Sequence, residues 1–209
     1  MLPIEIPIFP LPNVVLFPHV FLPLHIFEAR YREMVEHSLA EDRIIGMVLL
    51  RPGWEGSYEQ RPPVYPIGCA GLITHADRLP DGRFNIVLRG LEKFRIIGES
   101  PGQSYRLARI ETLAESLAAA DRPRVTAERR RLEAMVAPGG DSPGPERSLP
   151  RGMPDEDLVN ALAQYLELEP VEKQALLERD GLIERCRSLI ELLEMKQLLA
   201  RKKWTEGVH

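Results

Sequence analysis

The apolar spacing of this 209-residue chain is mostly that of strands up to about residue 114 and that of helices beyond it, and that division decides what it can fold into. Upstream, short β-branched and aliphatic runs alternate with turn residues. Ile4, Ile6 and Ile8 alternate with Glu5 and Pro7, the period-two pattern of a half-buried strand. Pro3 and Pro7 predict that this strand lies at a sheet edge. Further strands are predicted at 14–17, 20–24, 44–50, 67–74, 83–89, 93–97 and 106–113. Pro80-Asp81-Gly82 is a strong turn signal, and Gly90 predicts a bend or bulge before Lys93. Six or more short strands at close spacing predict a barrel or a sandwich.

One helix interrupts the series. Phe27, Tyr31, Met34, Val35 and Leu39 recur at helical spacing, with Glu28, Arg32 and Glu36 set for two i,i+4 ion pairs. Downstream of residue 114 the pattern is helical. Residues 121–136 form a predicted helix with Pro123 near its start, 138–154 is a Pro- and Gly-rich stretch predicted as a mobile loop, and helices follow at 155–166 and from Pro170. In the last predicted helix, 182–203, Leu182, Cys186, Leu189, Ile190 and Leu193 fall on one face. The predicted division is therefore a β subdomain over 1–118 and a helical subdomain over 119–209.

With 44% apolar residues the chain is no candidate for disorder, and a net charge of −4 creates no field that would draw in nucleic acid or an anionic membrane. The most apolar stretch, 14–27, contains Pro18 and Pro23 and is too short and broken to span a bilayer, and no signal-peptide pattern opens the chain. Cys69 and Cys186 form no framework and read as buried free thiols in a reducing compartment. The expectation is a soluble, cytoplasmic monomer with no membrane contact.

Catalytic signals fail on physical grounds. Gly98-Glu99-Ser100-Pro101-Gly102 matches the Gly-x-Ser-x-Gly pattern of serine hydrolases, yet Pro101 lacks the N–H that the oxyanion hole requires, and a strand follows where a helix is needed. A turn between strands is expected instead. No P-loop, Ser-x-x-Lys or His-Glu-x-x-His is present, and His19, His25, His37, His75 and His209 show no metal-ligand spacing. No enzyme activity, cofactor or metal is expected. Two features suit binding. One is the loop Arg51-Pro52-Gly53-Trp54-Glu55-Gly56-Ser57-Tyr58, whose two aromatics are good contact residues. The other is the predicted seam between the β and α halves.

Beyond these readings, Ile8-Phe9-Pro10-Leu11, Val15-Leu16-Phe17-Pro18, Leu22-Pro23-Leu24-His25-Ile26-Phe27-Glu28 and Arg30-Tyr31-Arg32-Glu33-Met34 together resemble the opening of the Lon protease N-terminal domain family, in its stand-alone bacterial form. Gly68-Cys69-Ala70, Asp81-Gly82-Arg83-Phe84, Gly90 and Phe94-Arg95-Ile96 continue the resemblance, and 158–193 is similar to the helical half of that domain. The resemblance implies an α+β fold: a PUA-like β-barrel with one inserted helix, followed by a small helical bundle. It also implies recognition of unfolded or exposed polypeptide segments, or of a protein partner, without ATP, since the ATPase and peptidase work belongs to domains not matched here. Most signature residues read as fold residues, with Phe27, Tyr31 and Met34 buried and Pro18 and Pro23 at strand ends. Phe17 and His25 join Trp54 and Tyr58 as candidate ligand-binding residues. The alternative is an RNA-binding PUA-like domain using Arg78, Arg83, Arg89 and Arg95, which the acidic balance disfavours.

Overall fold

The computed structural model describes residues 2–58, 61–136 and 152–206, with side chains omitted for Ser57 and 200–206. Six strands are present: β1 (Glu5–Leu11), β2 (Phe21–Ile26), β3 (Ile44–Leu49), β4 (Ile67–Arg78), β5 (Phe84–Ser100) and β6 (Arg106–Leu113). The helices are α1 (Ala29–Ala40), α2 (Arg122–Val136), α3 (Asp155–Tyr165), α4 (Pro170–Leu177) and α5 (Gly181–Glu206). The period-two half and the helical half thus appear in the predicted order.

The strands form one mixed sheet in the order β2-β5-β4-β3-β1-β6, and β6 also pairs with β5. β1 and β3 run parallel, and the other pairings are antiparallel. β1 is not at an edge, contrary to the expectation from its prolines. Its two neighbours are staggered: β6 pairs with Glu5–Ile8 and β3 with Ile8–Leu11. Pro7 and Pro10 each lie where only one neighbour is engaged, so a missing N–H removes no ladder bond on the other side. The edge strand is β2, which carries Pro23 and pairs with β5 alone.

Residues 14–17 do not form a strand. Val15, Leu16 and Phe17 are buried, but the Phe17 N–H donates to Gln164 Oε1 at 3.1 Å rather than to a ladder. The predicted strands 83–89 and 93–97 are one continuous β5. Between the pairs Gly71↔Gly90 and Cys69↔Lys93, β5 advances by one residue more than β4, which is the bulge expected after Gly90. The Gly-x-Ser-x-Gly stretch is the end of β5 and the turn that follows, and the Ser100 hydroxyl donates to the Glu5 carboxylate.

Contacts divide the chain into two compact units: Met1–Glu115 with Asn160–Glu178, and Ser116–Val159 with Arg179–His209. In the first, Ile6, Ile8, Val48, Ala70, Phe94, Ala108 and Ile110 form a buried cluster between strands. Helix α1 buries Tyr31, Met34 and Val35, three of its five expected face positions. Phe27 precedes the helix and is 62% exposed, against the expectation of burial. Residues 160–178 bond to the sheet segments directly. The Gln174 Nε2 donates to Ile67 O at 2.9 Å, and the Tyr165 hydroxyl to Phe21 O at 2.7 Å. Helix α4 begins with a capping box between Glu169 and Glu172 and has Pro170 in its first turn. Gly181, at φ +80°, opens α5.

In the second unit, Leu182, Cys186, Leu189 and Ile190 are buried on one face of α5, as their spacing predicts. Arg187 pairs with Glu128 at 3.0 Å and Arg131 with Glu194 at 2.6 Å, joining α2 to α5. Most of the predicted 138–154 loop lies outside the described residues. Among the described residues no helix is long and apolar enough to cross a membrane, and no three His, Cys, Asp or Glu side chains are grouped to hold a metal.

Cys69 and Cys186 are free and buried. Burial pushes the Cys186 thiol up to about 12. The thiolate is the reactive form, so Cys186 should not react rapidly with a thiol reagent at pH 8 in the native state, and burial shields Cys69 from the reagent. Both should react once denaturant is added, and stoichiometric labelling of Cys186 in the folded protein would contradict this.

Candidate functional site

A cleft of about 280 Å³ opens in the first unit where α1, the turn after β3 and the start of β6 converge. Arg30 and Tyr31 come from the first turn of α1, Tyr58 from the residue after a 3-10 turn at Glu55–Ser57, and Tyr105 and Arg106 from the entry to β6. Arg61 stands on the segment between Tyr58 and β4.

Glu28 organises one wall. It is the N-cap of α1, with extended backbone at φ −67° and ψ 136°, and its carbonyl accepts from the N–H groups of Tyr31 and Arg32 at 3.1 and 2.9 Å. Its side chain makes no cap. Instead Oε2 accepts from Arg30 Nε at 3.1 Å and Oε1 accepts from the Tyr58 hydroxyl at 2.7 Å. That arrangement holds the Arg30 guanidinium over two rings, 4.6 Å from the Tyr31 centroid and 5.0 Å from that of Tyr58. A cation against aromatic faces away from bulk water contributes about 0.5–2 kcal/mol per contact. Tyr31 packs in turn on Phe9, with centroids 4.4 Å apart, and Trp54 meets Tyr58 edge-on at 5.5 Å.

The opposite wall is built on Arg106, whose side chain is 10% exposed. It grips both oxygens of Glu99, with Nε donating to Oε2 at 3.0 Å and Nη2 to Oε1. Its Nη1 donates to Pro62 O at 2.7 Å, tying the segment after Tyr58 to β6. Tyr105 bonds His37 Nδ1 at 2.9 Å. Burial pushes the phenols of Tyr31, Tyr58 and Tyr105 up, with the Glu28 carboxylate adding to the effect at Tyr58 and Glu41 and Glu33 at Tyr105. All three therefore stand as neutral hydroxyls at neutral pH.

Of the four candidate residues, the fold brings Trp54 and Tyr58 together, and Tyr58 lines the cleft. Phe17 is fully buried. His25 is exposed on β2 opposite Asn85, with its Nδ1 2.7 Å from Asn85 Oδ1 and Arg83 Nη1 donating to Nε2 at 3.2 Å. Neither lines the cleft. The expected i,i+4 ion pairs of α1 are replaced by others: Glu28 engages Arg30, two residues away, and Glu36 engages the distant Arg78 at 3.0 Å. Sequence reasoning missed Arg30, Arg61, Tyr105 and Arg106. Tyr105-Arg106 at a strand start carries no periodic signal. Arg30 lies inside the quoted signature but off the apolar face of its helix.

A profile of the family described as the ATP-dependent protease La (LON) substrate-binding domain matches residues 5–195. Among curated proteins, the chain is similar to Lon protease 2 of Syntrophobacter fumaroxidans, 30% identical over 85% of this chain and 22% of that protein. It is also similar to Lon protease 1 of Herpetosiphon aurantiacus, 26% identical over 92% of this chain and 24% of that protein. It therefore spans less than a quarter of either relative. Two solved structures share its fold. The N-terminal domain of a Mycobacterium avium complex Lon protease superposes with a TM-score of 0.64 at 19% identity, covering 91% of this chain and 98% of that one. A Lon N-terminal domain protein from Xanthomonas campestris superposes with a TM-score of 0.58 at 21% identity, covering 91% and 97%. With a family profile spanning nearly its whole length, this chain belongs to the Lon substrate-binding domain family.

Proposed function

We propose that this chain is a non-catalytic module that holds unfolded or exposed polypeptide segments, and that the cleft beside Tyr58 is where it does so. The observation that carries the reading is the Tyr31–Arg30–Tyr58 stack fixed by Glu28. Pre-ordered aromatic and guanidinium surfaces beside a concavity contact peptide groups with little entropy left to lose. The family supports the same reading, because it is that of the substrate-binding domain and not of a catalytic one. The module needs no ATP or cofactor and hydrolyses no peptide bond. We read its sheet as a closed PUA-like barrel, supported by β6 pairing with β1 on one side and β5 on the other.

RNA binding is the weaker reading. Of the four arginines proposed for it, Arg78 pairs with Glu36, Arg83 with Asp81 and Arg95 with Glu111. Charges already matched by carboxylates release few counterions from a phosphate backbone.

Titration with a reduced and alkylated, permanently unfolded polypeptide tests the proposal. Binding in the micromolar range is expected, with NMR shifts around Tyr58 and Arg30. Tyr58→Ala should weaken it by about tenfold, the scale of a moderate hot spot. No binding to the folded protein at about 500 μM polypeptide would remove the proposal, since millimolar affinity carries no selectivity.

A further inference from the structure

The described lining of the cleft contains three guanidinium groups, Arg30, Arg61 and Arg106, and no acidic residue. Two carboxylates, Glu28 and Glu99, stand behind them, one fewer than the guanidinium groups. Arg106 takes both oxygens of Glu99, which leaves Arg61 with a 3.9 Å approach to Glu99 and a side chain 46% exposed. Arg30 is committed to Glu28, with Nε donating to Oε2 at 3.1 Å and Nη2 lying 2.9 Å from the same oxygen, so Arg61 is the exposed cation of the three.

From this excess of positive charge, with Arg61 exposed, we infer that the cleft recognises polypeptides by a carboxylate, either a free chain terminus or an Asp or Glu side chain. The carboxylate would meet Arg61, the exposed guanidinium of the lining, while the Tyr31 and Tyr58 rings flank the neighbouring atoms. Planar guanidinium forks suit two-oxygen acceptors, and such charge-assisted bonds are about twice as strong as neutral ones. This rests on the polypeptide-binding reading above and narrows its chemistry.

The test uses the full chain and three labelled unfolded peptides of one core sequence without other acids. The first ends in a free carboxylate, the second is amidated and contains one Asp, and the third is amidated with Asn in its place. Affinities are measured by fluorescence polarisation for wild type and Arg61→Gln, a substitution at an exposed side chain that should leave the melting temperature unchanged. The expected result is that the first or second peptide binds about tenfold more tightly than the third, and that Arg61→Gln removes most of this difference without weakening the third. Which of the two acidic peptides shows the preference assigns the source of the carboxylate. Equal binding of all three, or an equal loss for all three in Arg61→Gln, overturns the carboxylate inference and leaves polypeptide binding standing. If none of the three binds the folded wild type, both fall together.

Discussion

Gly90→Ala should unfold the first unit or lower its stability by roughly 4 kcal/mol, at the upper end of single-substitution effects. A Cβ on Gly90 would lie 2.0 Å from Phe17 O, 2.9 Å from Phe17 C and 3.1 Å from Pro18 Cα. These are backbone atoms, so no side-chain rotation relieves the overlap. The turn they belong to is held from both sides. His19 N–H donates to Gly90 O at 2.9 Å, and Gly90 N–H donates to Val20 O at 2.8 Å. His19 already sits at φ +66°, a left-handed conformation uncommon outside glycine, which leaves this turn little room to shift. Moving it would also pull Phe17, fully buried, away from Gln164. For a chain of this size the loss corresponds to roughly 10 °C or more in melting temperature. Calorimetry reads it, with Gly56→Ala as the control, because a Cβ there meets nothing within 4 Å. A Gly90→Ala protein melting within about 2 °C of wild type would show that the turn yields, and would contradict the close packing described.

Arg106→Ala should cost about 3–4 kcal/mol and loosen the cleft at the same time. The side chain is nine-tenths buried and satisfies three acceptors: both Glu99 oxygens and the Pro62 carbonyl. Its loss leaves a carboxylate only 25% exposed with nothing nearer than Arg61 at 3.9 Å, and that poorly compensated charge accounts for much of the penalty. Two measurements separate the consequences. The denaturation midpoint should fall, and Glu99→Gln in the Arg106→Ala background should recover part of it, because the poorly compensated charge is removed. Limited proteolysis between Tyr58 and β4 should accelerate, because Pro62 has lost its anchor. An Arg106→Ala protein with an unchanged midpoint would mean that the pair is as weak as an exposed one, which contributes about 0–1 kcal/mol.

What could be read from the sequence follows from periodicity and backbone chemistry. The strand-then-helix order, the Tyr31–Met34–Val35 face, the Leu182–Cys186–Leu189–Ile190 stripe and the bulge after Gly90 are all local patterns, and the structure contains each of them. The errors are of one kind. Pro7 suggested an edge strand, residues 14–17 a further strand, Phe27 a buried residue and Glu28 an i,i+4 partner. Each inference assumed what a local segment would meet.

By itself, then, the sequence determined which faces are apolar and where the chain can turn, because side-chain spacing and the φ limits of proline and glycine act over a few residues. Only the tertiary structure decided what those faces meet. It placed Tyr58 against Glu28 across 30 residues, Gln164 beneath Phe17 across 147, and β1 between β3 and β6. The cleft exists through such long-range alignments, and the charge on Arg30 or Arg61 says nothing about its neighbours until the strands and α1 are paired and packed.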